Sequence, residues 1–263
     1  MEPSVYEYPS IFRRVHMEKP GEIEEETEFL KKVWRRHLKK PARRILDIAS
    51  GDSPHGQILA REGLRVVGID RSPTMIAAGK KNSQDLAGVS FYRREINKFS
   101  IPERPFDVAF FMSETFPVLI TNSDLLSHLQ SVGRSLRRGG LYCIDIDKMD
   151  RIRIVRARKR WQRRKVRTPE ATVEVTTYDH PFPWYSATQS IFELECQIKF
   201  RDLPDRVVTT RDLIPIRYTV PPLLELAAKA SRMFELIATY TDLSFITPLE
   251  ECDRRWLGVL QRV

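Results

Sequence analysis

Asp47, Gly51 and Asp70 lie in one stretch, RRILDIASGDSPHGQILAREGLRVVGID, whose order of residue types has a chemical meaning. A glycine just past a short apolar run lets the backbone pass close to a ligand. An acid 19 residues on, at the end of the next apolar run, is placed to accept both hydrogen bonds of a ribose diol. The dinucleotide fingerprint G-x-G-x-x-G is absent, because Ala49, Ser50, Asp52 and Ser53 surround Gly51. Without those glycines a pyrophosphate cannot readily approach the helix that follows, which disfavours NAD and FAD. A nucleoside ligand that has no pyrophosphate still fits this frame.

The second chemical signal is charge. The 263 residues carry 44 Lys and Arg against 35 Asp and Glu, a net +9. Residues 148–167 hold eleven bases and one acid, Asp150, so this band is +10 and the rest of the chain is −1. The partner question is therefore local. RNA phosphates bound through residues 151–167, an anionic small substrate and a membrane surface are the options. A solvated helix face is the plainer reading, since Ile152, Ile154 or Val155, and Trp161 form one apolar stripe under the charges. Cys143, Cys196 and Cys252 are far apart and lack C-x-x-C spacing, which favours buried free thiols over a disulfide framework or a zinc site. No secretory pattern opens the chain and no run approaches the roughly 18 apolar residues of a membrane span, so the reading is a cytoplasmic protein.

The elements that would position these residues follow from periodicity. Residues 20–40 begin with acids, end with bases and repeat apolar residues near the helical period, which predicts an amphipathic helix. Then RRILDIAS, RVVGID, VSFYRREI, FDVAFFM and LYCIDID read as strands, and GQILAREG, SPTMIAAGKKN and NSDLLSHLQSVGRSLRR as the helices between them, the last closed by a Gly139-Gly140 turn. Ser72 caps the second of these helices, with Pro73 at its first position. This alternation predicts an open α/β sheet, mostly parallel, covered on both faces. After Asp147 the pattern changes. TVEVTTY, SIFELECQIKF and RVVTTRDLIPIRY alternate with period two and read as an inserted antiparallel sheet. PPLLELAAKASR, FELIATYTD and RWLGVLQRV supply a closing helix and two strands. The expected division is residues 1–150 for an N-terminal segment and the core, 151–215 for the basic band and the β insertion, and 216–263 for the C-terminal completion of the core sheet.

ILDIASGDSPHGQILAREGLRVVGIDRSPTMI resembles the first two motifs of class I S-adenosylmethionine-dependent methyltransferases. The family's D-x-G-x-G-x-G falls on Asp47, Ala49, Gly51 and Ser53, and Ser53-Pro54-His55 departs from it. SFYRREI, PFDVAFFM and LLSHLQSVGRSLRRGGLYCID resemble the later strand motifs. The resemblance covers residues 43–147 and, more weakly, both flanks, where it points to amino-sugar N,N-dimethyltransferases and glycine N-methyltransferase-like enzymes. It implies a Rossmann-like sheet whose last strand is antiparallel and a β lid over the acceptor.

The same resemblance implies roles for individual residues. Asp47 would orient the loop and the donor's ammonium group, and Ala49, Ser50 and Gly51 would offer backbone groups. Asp70 would take the ribose, with Arg71 and Met75 beside it. Glu95 and Ile96 would contact adenine, and Met112 would open the segment facing the transferred methyl. Tyr8 on the N-terminal segment would close over the cofactor or position the acceptor, and Arg13 or Arg14 would reach the methionine carboxylate. Glu114 would neutralise an attacking amine or receive its proton. His55 reads as a structural contact in the loop, and His180 as a second-choice lining residue of the acceptor pocket. No metal is implied. The implied reaction is methyl transfer from S-adenosylmethionine, leaving S-adenosylhomocysteine, to nitrogen or oxygen of a small molecule. An RNA or tRNA methyltransferase and a non-catalytic regulator that senses the cofactor stand as alternatives, with a monomer or a homodimer as the assembly.

Overall fold

The computed structural model describes residues 3–16, 21–147, 159–181, 189–203, 205–247, 251 and 255–263. The helices are α1 (Pro9–His16), α2 (Glu22–His37), α3 (Pro54–Arg61), α4 (Pro73–Asn82), α5 (Asn122–Ser135) and α6 (Pro221–Ser231). The strands of the core are β1 (Arg44–Ile48), β2 (Arg65–Asp70), β3 (Val89–Arg93), β4 (Phe106–Phe111) and β5 (Leu136–Asp147). There follow β6 (Lys159–Arg167), β7 (Ala171–Pro181), β8 (Gln189–Phe200), β9 (Val207–Arg217), β10 (Phe234–Thr241) and β11 (Arg255–Arg262). The chain divides into a larger unit, Gly21–Met149 with Thr219–Val263, and a smaller one, Met1–Pro20 with Asp150–Tyr218.

The larger unit is built on a seven-stranded sheet of order β10-β11-β5-β4-β1-β2-β3. The pairs β1–β2, β1–β4, β2–β3 and β4–β5 are parallel, and β11 runs antiparallel between β5 and β10. This is the expected α/β sheet with an antiparallel last strand. Its central strands are near-continuous apolar runs because both faces are covered. One face packs Leu125, Leu129 and Val132 of α5 with Leu224, Ala227 and Ala228 of α6, and the other packs Phe29, Leu30, Val33 and Trp34 of α2 with Leu59 of α3. The strand order reverses between β1 and β4, so the loops leaving their carboxyl ends diverge and open a crevice there.

Two boundaries differ from the sequence reading. The helix expected to run through Arg138 ends at Ser135, and the supposed glycine turn lies inside β5. Leu136 pairs with Phe106, and the register shifts before Val108. At that irregularity a Cβ on Gly140 would sit 2.8 Å from the Arg137 carbonyl and 3.0 Å from that of Asp107, which explains a glycine there. The third strand ends at Arg93, so Glu95 and Ile96 belong to the loop after it.

The smaller unit is an antiparallel sheet of order β6-β7-β8-β9. Three of its strands follow the period-two stretches, but β6 does not. Residues 159–167 of the basic band form an edge strand, which corrects the helix-face reading; Ile152, Ile154 and Val155 lie outside the described residues. Cations on an edge strand discourage pairing with another chain, and here Arg163 also bonds Glu174 at 2.7 Å while Arg164 donates to the Val15 carbonyl. The N-terminal segment, expected with the core, packs in this unit. Ser4 Oγ donates to Asp212 Oδ1 at 2.6 Å, Val5 N donates to Asp212 Oδ2 at 3.0 Å, and Val5, Ile11 and Val15 are buried against Val173, Val175, Leu194 and Ile198.

Candidate cofactor site

The loop from β1 to α3 is the structural centre of the candidate site. Ala49, Gly51 and Ser53 have φ of 51°, 54° and 57°, so the backbone enters the left-handed region at every second residue. For a residue with a Cβ that conformation costs about 1–2 kcal/mol. Local bonds hold it. Ser50 N donates to Ile69 O at 2.9 Å, Ser53 N to Ser50 O at 2.7 Å, and Gly51 N to Asp70 Oδ2 at 2.9 Å. Ser53 precedes α3 yet does not cap it; its Oγ donates instead to Asp47 Oδ2 at 2.6 Å. Gly56 makes room for this turn, since a Cβ there would lie 2.2 Å from Ser53 Oγ. Burial pushes Asp47 up to about 7, against the opposing charge of His55 and the bond from Ser53.

Asp70 ends β2 and accepts from Gly51 N and, at 2.8 Å, from Ser72 N, with the Arg71 amide also acting on its carboxylate. A carboxylate offers about four acceptor positions, so Asp70 keeps capacity for a ribose hydroxyl. Burial raises its pKa, against the amide bonds from Ser72, Gly51 and Arg71 and the charge of Arg71. Ser72 caps α4 as read from the sequence, and Met75 beneath the loop is buried. A Cβ on Gly51 would meet nothing nearer than Met75 Sδ at 3.9 Å, so the space beside the loop is open on that side. The loop after β3 carries exposed Glu95 and half-buried Ile96, and is pinned from below by His128 of α5. His128 Nδ1 lies 2.7 Å from Ile96 O and Nε2 lies 2.6 Å from Tyr142 Oη, among the rings of Phe99, Phe111 and Phe116. Burial lowers His128 to about 4, so Nδ1–H donates to the carbonyl and Nε2 accepts from the tyrosine.

Behind the β1–α3 loop runs a buried ionic chain. His55 Nε2 lies 2.5 Å from Glu26 Oε2, and Arg255 Nη1 bonds Glu26 Oε1 at 2.5 Å and Asp145 Oδ2 at 3.2 Å. Glu114 N donates to Asp145 Oδ2 at 3.3 Å, and Glu22 lies 4.0 Å from Arg255. Burial opposes the charge on Glu26, but His55 and Arg255 together hold it down to about 2. Glu114 follows Ser113 in a second left-handed turn, with φ of 53° and 61°, at the end of β4. The chain therefore links the loops after β1 and β4, the two strands that flank the crevice.

Residues 45–140 match the family model described as a methyltransferase domain. A putative methyltransferase of Geobacillus sp. (strain WCH70) is 28% identical over 132 residues, 47% of this chain and 51% of that protein. The chain spans about half the length of the curated relatives it matches. Among solved structures, an amino pentose methyltransferase from Micromonospora echinaspora involved in calicheamicin biosynthesis superposes with TM-score 0.71 at 17% identity, covering 100% of this chain and 98% of that one. The sugar N-methyltransferase KedS8 from Streptoalloteichus sp. gives TM-score 0.72 at 19% identity, covering 95% and 91%. This chain is thus similar to methyltransferases over residues 45–140 in sequence and over nearly its whole length in fold. Its fold is that of the S-adenosylmethionine-dependent class I enzymes, as the motif resemblance implied.

Within the matched residues 45–140, Asp47, Ala49, Ser50, Gly51, Asp70 and Met75 come together around one loop, whose Gly51 amide bonds Asp70. Arg71 is exposed, and its carbonyl accepts from Arg93 Nε at 3.0 Å. Met112 is buried in the cluster that holds Trp34 and Phe110. Tyr8 and Arg14 belong to the smaller unit, where the Tyr8 ring lies 5.9 Å from that of Phe200 and Arg14 is exposed. His180 bonds the buried Glu193 there, and Glu193 also takes Arg211 Nε at 2.8 Å. Sequence reasoning missed Glu26, Arg255, Asp145 and His128. One signal was present: Glu22 and Glu26 fall on the same face of α2 as Leu30 and Val33, where a helix buries its residues.

Proposed function

We propose that the protein transfers a methyl group from S-adenosylmethionine to the amino group of a small, sugar-like molecule. The observation that carries the reading is the β1–α3 loop: a left-handed backbone at residues 49, 51 and 53 bonded to a carboxylate that keeps capacity for a ribose hydroxyl. Such a loop suits an adenosyl group that has no pyrophosphate. Two solved structures that match nearly the whole chain, one named an amino pentose methyltransferase and the other a sugar N-methyltransferase, support the choice of acceptor.

When bound, the donor supplies a methyl on a cationic sulfur and is already activated. The protein's part is alignment and exclusion of water. Asp70 would hold the ribose hydroxyls, Asp47 the ammonium end, and Ile96 and Glu95 would flank the base. Met75 would pack beneath the nucleoside. Glu114, on the strained turn after β4, would hold the charge of an incoming amine or take its proton. Transfer of labelled methyl from S-adenosylmethionine to a panel of amino sugars, with simple alcohols and RNA as comparison acceptors, tests the proposal. Label appearing on amines supports it, and label only on RNA or on hydroxyls overturns it.

A further inference from the structure

The larger unit buries a charged histidine pair that methyl transfer does not by itself require. His55 is the second residue of α3, two positions past Ser53, and is 4% exposed. Its Nε2 meets one oxygen of Glu26 at 2.5 Å while Arg255 occupies the other oxygen at 2.5 Å. A buried carboxylate held by Arg255 stays ionised, so His55 donates Nε2–H to it, and the imidazolium is the form that gains most from such a partner.

Among the described residues, the charged groups that act most strongly on His55 are acids. Glu26 comes from α2, Asp47 from β1 and Asp145 from β5, and the Phe110 ring of β4 stands edge-on at 5.9 Å. Arg255 of β11 lies on the far side of Glu26. Burial favours the neutral ring, but the bond to Glu26 and the charges of Glu26, Asp47 and Asp145 hold His55 above its ordinary value. Asp47 is tied to the same turn, accepting from Ser53 Oγ at 2.6 Å two residues before His55, and has the opposite surroundings. Burial drives it toward the neutral acid, Asp52 and Asp70 add to that, and the charge of His55 is the largest opposing influence.

We propose that His55 is a positioning residue that carries a standing positive charge, locked in place by Glu26, and keeps the adjoining Asp47 carboxylate ionised for the ammonium group of the methyl donor. This rests on the proposed function, which supplies the ammonium. Ligand affinity then rises with pH as Asp47 loses its proton, and His55 sets where that rise falls. With His55 charged, Asp47 titrates at about 7. Without it, the midpoint moves up.

The test is calorimetry with S-adenosylhomocysteine, which keeps the ammonium group, on the full chain across the pH range in which Asp47 titrates. Wild type shows affinity rising to a plateau. His55→Gln shifts the midpoint upward by about one pH unit or more, the size expected for loss of an adjacent charge. A purely structural role for His55 weakens binding by the same factor at every pH, and an unmoved midpoint overturns the proposal. Should His55→Gln not fold, the wild-type charge is read by nitrogen-15 NMR of the His55 ring, assigned in a His180→Asn background. A doubly protonated ring at neutral pH is expected; a neutral ring overturns the inference. Wild type that binds no S-adenosylhomocysteine refutes the proposed function instead, and the NMR result still stands on its own.

Discussion

Two loops at the carboxyl edge of the same sheet are each anchored by a buried histidine, and the anchors are opposites. Under the β1–α3 loop, His55 meets a carboxylate and is held above its ordinary pKa. Under the loop after β3, His128 meets a carbonyl, a hydroxyl and aromatic rings, and burial lowers it to about 4. The difference follows from what each loop would hold. A neutral anchor suits a loop that flanks a flat, uncharged base. A charged anchor suits a loop whose Asp47 would face an ammonium group and would otherwise be neutralised by burial.

Breaking the charged anchor has the largest expected effect. Glu26→Ala leaves Arg255 and His55 buried without their carboxylate and lowers stability by about 3–5 kcal/mol, read as a fall in the urea midpoint. The pH dependence sharpens the comparison, because the two histidines have opposite signs. His128 is depressed, so below pH 6.5 the unfolded chain takes up a proton that the native ring refuses. Its contribution to stability is therefore lost as pH falls from 6.5 toward 4. Across that interval the stability difference between wild type and His128→Leu should move by about 3 kcal/mol in favour of the variant, which becomes the more stable of the two near pH 4. His55 is raised, so its contribution is complete below 6.5 and is lost as pH rises through its native value. The advantage of wild type over His55→Gln should shrink toward alkaline pH instead. At neutral pH, His128→Leu strands the Tyr142 hydroxyl and the Ile96 carbonyl and should cost about 2 kcal/mol in the same urea experiment. The smallest effect is expected at the loop backbone. Ala49→Val puts a β-branched residue at φ 51° and should destabilise by about 1 kcal/mol.

The sheet order was legible because each parallel strand is an apolar run followed by a helix of regular period. β6 was not, since KRWQRRKVR shows no apolar alternation and is defined by its pairing with β7. The place of the N-terminal segment was hidden for a related reason: its partners, Asp212 and the inner face of β7 and β8, lie far away in sequence. In the candidate site, the pairing of Gly51 with Asp70 was readable from spacing, and Asp47 was picked out by the motif resemblance. The left-handed conformations of Ala49 and Ser53 were not, because both residue types ordinarily avoid that region. Arg255 meets Glu26 across 229 positions of sequence, a contact that no local pattern encodes.

The central claim is that this loop and Asp70 bind an adenosyl ligand. Calorimetry of S-adenosylhomocysteine binding to wild type and to Asp70→Ala tests it most directly. The account predicts a single site in wild type and at least tenfold weaker binding in the variant, a loss of about 1.4 kcal/mol or more. No binding by wild type at millimolar ligand, or equal affinities for the two proteins, would contradict it.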